Sequence, residues 1–153
     1  MKTTFSFLFI LALSQIFVGC SSDSNNSNSN LPLTNENLLG YWRITNFIKP
    51  DGSLMPYVEE CNVKKDTVTF FYSSYIKLRR HESDCIADYI TADDIIINAD
   101  TRKISSSNII FDGTVNELTD QNMRIDYDAA VTSDPDLYMY TPRIGITLSR
   151  YEE

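Results

Sequence analysis

The chain has 153 residues, with 13 Lys and Arg against 21 Asp and Glu, so its formal net charge is −8. Nucleic-acid binding usually requires a basic patch, and electrostatic docking onto anionic lipid requires clustered cations, so this charge balance argues against both functions. A hydrophobic fraction of 42% without any repeat of fixed period favours one globular domain over a solenoid or propeller.

Residues 1–19 have the build of a secretory signal peptide. Lys2 is the only charged residue in this segment, and the uncharged, mostly apolar residues 5–19 follow it. A membrane-spanning helix needs about 20 apolar residues, whereas this run has 15 and includes Ser and Gln. We therefore expect residues 1–19 to be a signal peptide that is removed during export.

Cys20 follows Phe17, Val18 and Gly19, and this tetrapeptide resembles the lipobox of bacterial lipoproteins. The resemblance implies that the Cys20 thiol receives diacylglycerol, that cleavage occurs just before Cys20, and that the new amino terminus is acylated. One acyl chain binds a membrane only marginally, so two or three are needed for stable anchoring. Phe17 stands where the family prefers Leu, which bears on cleavage efficiency. The alternative is an ordinary cleavage site with a free or disulfide-bonded Cys20.

Residues 20–36 are expected to form a lipid-anchored tether. Residues 21–30 consist of Ser, Asn and one Asp, so they cannot bury enough apolar surface to fold. Such a tether, with Asp23 close to the cysteine, is similar to those of Bacteroidetes-type lipoproteins, in which nearby acidic residues help to direct the product to the cell surface. The similarity implies a cell-envelope protein, lipid-anchored in the outer membrane and facing either the periplasm or the outside.

Cys61 and Cys85 remain once Cys20 is assigned to the anchor. Because an exported chain leaves the reducing cytoplasm, we expect these two cysteines to form a disulfide. A reactive thiol pair or a metal site is the alternative, but the spacing is not C-x-x-C and only His81 is nearby.

Apolar and polar residues alternate with period two in several short segments, which predicts strands. The segments are residues 42–48, 66–72, 75–81, 122–128 and 143–150, with shorter apolar runs around Ile96 and Ile109. We expect about eight strands in meander order, separated by turns such as the Asp-Gly pair at residues 51–52. The inward side chains, which would form either a packed core or the lining of a ligand cavity, are Trp42, Ile44, Phe70, Ile76, Leu78, Met123, Ile125, Tyr127, Ile146 and Leu148.

Gly40, Tyr41 and Trp42 at the head of the first strand resemble the G-x-W motif of lipocalins. In lipocalins the Trp closes one end of the barrel and packs beneath an Arg from a late strand. Arg150 matches that Arg, and Arg143 is the alternative.

The order LLGYW, Cys61, TVTFF, Cys85 and NELTDQNMRI is also similar to the lipocalin-like domains of Bacteroidetes lipoproteins. The resemblance covers nearly all of residues 37–153. It implies an all-β fold, an antiparallel up-and-down β-barrel of about eight strands that is lipocalin-like and carries one disulfide.

Signals of catalysis or metal binding are weak. His81, the only histidine, lies near Glu82 and Asp84, but one His and two carboxylates fall short of a zinc ligand set, so we expect a solvated strand end. The acidic pairs at residues 59–60 and 93–94 offer the two carboxylates that a glycosidase needs, yet such pairs arise by chance among 21 acidic residues. We expect no enzymatic activity, no metal and no cofactor.

The sequence predicts a lipid-anchored, lipocalin-like protein of the cell envelope that binds a small apolar or amphipathic molecule without catalysis. An eight-stranded barrel is just wide enough to be filled by its own side chains or to hold one small ligand. The alternative is therefore an outer-membrane structural or protein-interaction lipoprotein with a solid core and no small ligand. The expected partners are the membrane, through the lipid anchor, and a small apolar ligand or an envelope protein, but not nucleic acid.

Overall fold

The computed structural model describes residues 29–72, 75–107, 109–132 and 141–152. The predicted signal peptide and Cys20 lie outside the described residues, as does most of the predicted tether. Within the described residues, no helix has the length and hydrophobicity needed to cross a membrane.

The described chain is built almost entirely of strands. A four-residue helix, α1 (Asn35–Leu38), begins after Thr34, whose hydroxyl accepts a hydrogen bond from the Asn37 backbone N–H at 3.3 Å. A 3₁₀ helix spans Ile109–Phe111. The strands are β1 (Gly40–Ile48), β2 (Leu54–Pro56), β3 (Thr67–Phe71), β4 (Tyr75–His81), β5 (Ala87–Ala92), β6 (Ile96–Asn98), β7 (Lys103–Ser105), β8 (Gly113–Leu118), β9 (Asn122–Val131) and β10 (Arg143–Arg150).

Nine of these strands form one antiparallel path in the order β5-β4-β3-β1-β10-β9-β8-β7-β6, and β2 pairs with the end of β1. The first and last long strands meet in the middle of the path, with Trp42 opposite Arg150 and Ile48 opposite Gly145. The expected all-β, antiparallel meander is thus confirmed.

The prediction of a closed eight-stranded barrel is wrong, because the sheet is a half-barrel. β5 and β6 are its two edges, and no ladder joins them although both are fully described. Residues 93–95 connect these two strands. Within this link, Asp94 adopts a positive φ of 56° and the Ile95 side chain is buried in the core. The three-residue β6 pairs only with β7. The chain therefore bends away from β5 instead of forming a hairpin with it.

Most of the predicted strands are confirmed. The boundaries of β4 and β10 agree with the predicted residues 75–81 and 143–150, and β3 and β9 lie where alternation places them. The strand predicted around Ile109 is wrong, since this residue begins the 3₁₀ helix that precedes β8.

A β-bulge in β1 changes which of its residues face the core. Trp42 and Ile44 are buried, and the pairing with β10 then shifts between Ile44 and Asn46. An extra residue in one strand reverses the facing of all that follow. Phe47 therefore joins the main core, while Ile48 is buried outside that cluster.

The predicted disulfide between Cys61 and Cys85 is confirmed. It joins the long connection between β2 and β3 to the turn between β4 and β5. Because the two cysteines are 24 residues apart, the bond closes a sizeable loop in the unfolded chain.

Candidate functional site

The ten residues predicted to face inward are all buried and belong to one hydrophobic cluster. Leu38, Phe47 and Phe111 also belong to this cluster, and the rings of Phe70 and Phe111 pack edge to face with centroids 6.2 Å apart. A gap lined by Leu38, Phe70 and Ile76 has a volume of about 10 Å³, roughly enough for one water molecule. These contacts are those of a close-packed core.

Trp42 and Arg150 lie together at one end of the half-barrel. The carbon of the Arg150 guanidinium is 3.9 Å from the centroid of the Trp42 ring, the geometry of a cation–π contact. Trp42 Nε1 donates a hydrogen bond to the Leu38 carbonyl oxygen at 2.8 Å. Arg150 donates to the carbonyl oxygens of Leu39 and Asn37, the latter at 3.1 Å. The pair therefore joins α1 to the start of β1 and the end of β10.

Gly40 leaves room for this stack. Its φ of 109° is a conformation that L-residues with a side chain rarely adopt, and a Cβ here would lie 3.3 Å from Arg150 Nη1. Burial lowers the pKa of the Arg150 guanidinium. Arg143, the alternative partner of Trp42, lies elsewhere, with its guanidinium carbon 4.7 Å from the centroid of Phe47.

His81 is buried, which corrects the expectation of a solvated strand end. It is 5% exposed, and Asp66, which is 3% exposed, accepts its backbone N–H at 2.7 Å through Oδ1. His81 Nδ1 lies 3.3 Å from the same oxygen, and the Tyr57 hydroxyl donates to Oδ2 at 2.6 Å. Burial and the hydrogen bond to Asp66 raise the pKa of the Tyr57 hydroxyl far above its ordinary value, so this group is a donor at neutral pH.

An Asp–His contact orients the imidazole in many catalytic sites. In this protein the Asp66 carboxylate also binds a tyrosine hydroxyl and a backbone N–H, so it acts as a bridge between β4 and the connection from β2 to β3. The disulfide from Cys61 ties the same connection to the turn after β4. The cluster of Tyr57, Asp66 and His81 therefore holds a long connection in place.

The acidic pair at residues 59–60 is divided between different cations. Glu59 accepts hydrogen bonds from Arg43 at 2.9 Å and Lys65 at 2.7 Å, whereas Glu60 accepts one from Arg80 at 2.7 Å. Burial raises the pKa of Glu59, but the bonds from Lys65 and Arg43 outweigh it and the pKa lies below its ordinary value. A general acid needs a raised pKa, so Glu59 does not suit that role. Across the described ranges, no three His, Cys, Asp or Glu side chains are arranged to hold a metal.

The outer face of β3, β4 and β5 carries a shallow hollow. Thr67 lies opposite Arg79, Arg79 opposite Tyr89, and Thr69 opposite Lys77. Directly opposed residues share one face of an antiparallel sheet, so these side chains form a continuous surface. The hollow has a volume of about 160 Å³ and is termed the outer trough. Its lining residues are Tyr41, Thr67, Thr69, Phe71, Lys77, Arg79 and Tyr89.

A second hollow adjoins the outer trough and shares Arg79 and Tyr89 with it. It has a volume of about 430 Å³ and is termed the basic hollow. Its other lining residues are Val63, Lys64, Lys65, His81, Ala87 and Tyr151. The two hollows together give one face of the half-barrel a row of cations and aromatic rings.

Alternation assigns the outward positions of a strand to solvent, so it does not single out this surface. The available signal is the composition of those positions, which are Thr67, Thr69 and Phe71 on β3 and Lys77 and Arg79 on β4. Aromatic rings and cations on adjacent outward positions locate this surface in the sequence better than the scattered acidic pairs do.

No protein-family model, curated protein or solved structure matches the chain.

Proposed function

We propose that the chain is a lipid-anchored protein of the cell envelope with a lipocalin-like fold, which binds its partner through the outer surface of a solid half-barrel and without catalysis. This corresponds to the second of the two functions that the sequence predicts. The observation that carries it is the burial of all ten inward residues in one cluster. A carrier of small molecules needs a pocket of about 300–1,000 Å³, whereas the gap beside α1 has about 10 Å³.

The cysteines support the envelope location. The lipobox-like sequence before Cys20 supplies the anchor, and the disulfide between Cys61 and Cys85 is of a kind that forms in exported proteins and is rare in the cytosol. Residues 21–30 would give the tether a root-mean-square reach of roughly 20 Å. The domain would thus stay near the lipid surface and remain free to turn its outer face toward a partner.

The hydrogen bonds and ion pairs of the polar side chains support a function without catalysis. Tyr57 and His81 bind the same buried carboxylate of Asp66, and the depressed pKa of Glu59 follows from its two cationic partners. These groups stabilise the fold, and their hydrogen bonds are made within the protein rather than toward a reacting molecule.

Metabolic labelling with an alkyne analogue of palmitate tests the anchor. We expect the wild-type chain to be labelled and Cys20→Ser to remain unlabelled. The matched control is the double variant Cys61→Ser/Cys85→Ser, which loses two cysteines but keeps the lipobox and should still be labelled. Label on Cys20→Ser would contradict the lipobox assignment.

Native mass spectrometry of the mature protein, extracted in mild detergent, tests the solid core. We expect the mass of the lipidated chain alone, because the inward side chains fill the space between the strands. A stoichiometric extra mass from a small apolar molecule that survives detergent exchange would contradict the proposal and favour a carrier.

A further inference from the structure

We propose that the end of the half-barrel where β3 stops and β4 starts rests in the headgroup region of the zwitterionic phospholipid bilayer that holds the anchor. The contact is made by Phe71, Tyr72 and Tyr75, which are termed the aromatic tip. This inference rests on the proposed function and goes beyond it, because it adds a second membrane contact that orients the domain. Three features carry it: the exposed rings, the uncharged sequence around them and the place where the tether enters the domain.

The rings of the aromatic tip adjoin one another and face solvent. Phe71 is 42% exposed, Tyr72 is 75% exposed and Tyr75 is partly exposed. Phe71 pairs with Tyr75 across the two strands, and their ring centroids are 5.4 Å apart. Phe70 and Ile76, the next residues along each strand, supply the core on the other face of the sheet. A tyrosine combines an apolar ring with a polar hydroxyl, and such side chains are enriched where a protein meets the membrane–water interface.

The sequence around the aromatic tip is uncharged. Residues 67–76 include no Asp, Glu, Lys or Arg, and the first charged residue after them, Lys77, lies opposite Thr69 and away from the tip. A bilayer headgroup region can therefore receive these rings without the cost of removing an ion from water. The exposed Asp93 and Asp94 follow β5 at this end of the sheet, and anionic headgroups would repel them. The contact thus suits zwitterionic lipid.

The tether enters the domain at the same end. The Leu31 backbone N–H donates to the Leu118 carbonyl oxygen at 2.6 Å, and the Asn30 side-chain oxygen accepts the Leu118 N–H at 2.8 Å. Leu118 ends β8, and the antiparallel order of the strands places the end of β8 and the end of β3 on the same side of the sheet. Since a tether of this length reaches roughly 20 Å, the lipid on Cys20 holds this end of the half-barrel near the bilayer.

The other end of β4 has exposed apolar side chains of a different kind. Val63 is 81% exposed and Ile86 is 65% exposed. Lys64 and Lys65 follow Val63 in the chain, and Asp84 accepts the Ile86 backbone N–H at 3.0 Å. Single apolar residues among charges are ordinary on a protein surface, whereas adjoining ones mark a contact. The seven residues of β4 place this end about 20 Å from the aromatic tip.

Fluorescence quenching of the mature, lipidated protein in phosphatidylcholine vesicles tests the inference. Trp42, the only Trp of the wild type, is buried and gives the background. Tyr72→Trp places a reporter in the aromatic tip, and Val63→Trp places one at a similarly exposed position as the matched control. Both variants add the same side chain, so a difference between them reflects its position.

In vesicles whose lipid carries bromine atoms on acyl-chain carbons near the headgroups, we expect the added emission of Tyr72→Trp to fall at least about twofold. The added emission of Val63→Trp should change by less than about a tenth. Acrylamide, which quenches from the water, should act in the opposite order. Adding Phe71→Ser to Tyr72→Trp removes a neighbouring ring and should weaken the bromine quenching. Undiminished quenching in that double variant would overturn the aromatic tip as the contact, because the introduced Trp alone would then account for it.

Flotation of the vesicles in a density gradient separates this inference from the anchor. Protein that floats but shows equal bromine quenching of the two reporters overturns the inference and leaves the anchor assignment intact. Protein that does not float overturns the anchor and this inference with it. Shielding of Tyr72→Trp from acrylamide that grows with protein density, without bromine quenching, assigns the aromatic tip to a second copy of the chain and also overturns the membrane contact.

Discussion

Replacing Asp66 by Asn removes one acceptor oxygen from a buried cluster and leaves its shape unchanged. In the structure Oδ2 accepts the Tyr57 hydroxyl at 2.6 Å and Oδ1 accepts the His81 backbone N–H at 2.7 Å. An amide keeps one acceptor and directs its NH₂ group at the other donor. A hydrogen bond to a charged acceptor contributes about 1.5–3 kcal/mol, and a buried unpaired donor costs about 1–3 kcal/mol. These effects overlap, so we expect the free energy of unfolding to fall by about 3 kcal/mol.

Urea denaturation at pH 7, followed by the fluorescence of the buried Trp42, measures this loss. Asp100→Asn is the matched control, because Asp100 is exposed in the turn between β6 and β7 and loses the same charge. The control should lie within about 0.5 kcal/mol of the wild type. A loss below about 1 kcal/mol for Asp66→Asn would refute the reasoning, since the connection between β2 and β3 would then be held by other contacts.

Three further changes test other parts of the fold. Burial and hydrogen bonding raise the pKa of Tyr57, so its stabilising effect is complete below the ordinary value of 10.0 and is lost as the pH rises above it; the difference in unfolding free energy between wild type and Tyr57→Phe should shrink above that pH in urea titrations. Arg150→Met removes the cation over Trp42 and the hydrogen bonds to carbonyl oxygens, and should lower the free energy of unfolding by about 2–4 kcal/mol in the same assay. Cys61→Ala/Cys85→Ala should cost about 3–4 kcal/mol, and the wild type in excess dithiothreitol should lose the same amount.

A strand that is paired with a neighbour on both sides could be predicted from the sequence. β4 alternates Ile76 and Leu78 with cations, and both of its neighbours shield it, so the pattern persists from end to end. β5 could not be predicted in this way because it lies at an edge, where only Ala92 is fully buried and the apolar pattern is weak. In β1 the bulge before Phe47 changes which face of the sheet the following side chains occupy. The local sequence carries no signal that predicts this bulge.

The candidate site, like the fold, could be predicted from the sequence only in part. The composition of the core could be predicted, but a packed core and an open cavity use the same ten side chains. The choice between them depends on contacts with residues such as Phe111, which lies in a 3₁₀ helix where a strand was predicted. The burial of His81 could not be predicted because its neighbours in sequence are polar and its partner Asp66 is 15 residues away. Only the pairing of β3 with β4 brings that carboxylate to the end of the strand.

The edge strand β5 borders the gap between the two ends of the sheet and also contributes Tyr89 to the outer trough. An exposed sheet edge invites pairing with another chain, and proteins resist this with charged side chains near the unpaired backbone. β5 exposes Asp88, and the link to β6 begins with the exposed Asp93 and Asp94, so acidic groups flank the edge. Lys77 and Arg79 lie instead on the outer face of the neighbouring strand, away from that edge backbone. Separating the two charges in this way keeps the acidic groups beside the unpaired backbone of β5, where they discourage the addition of a further strand.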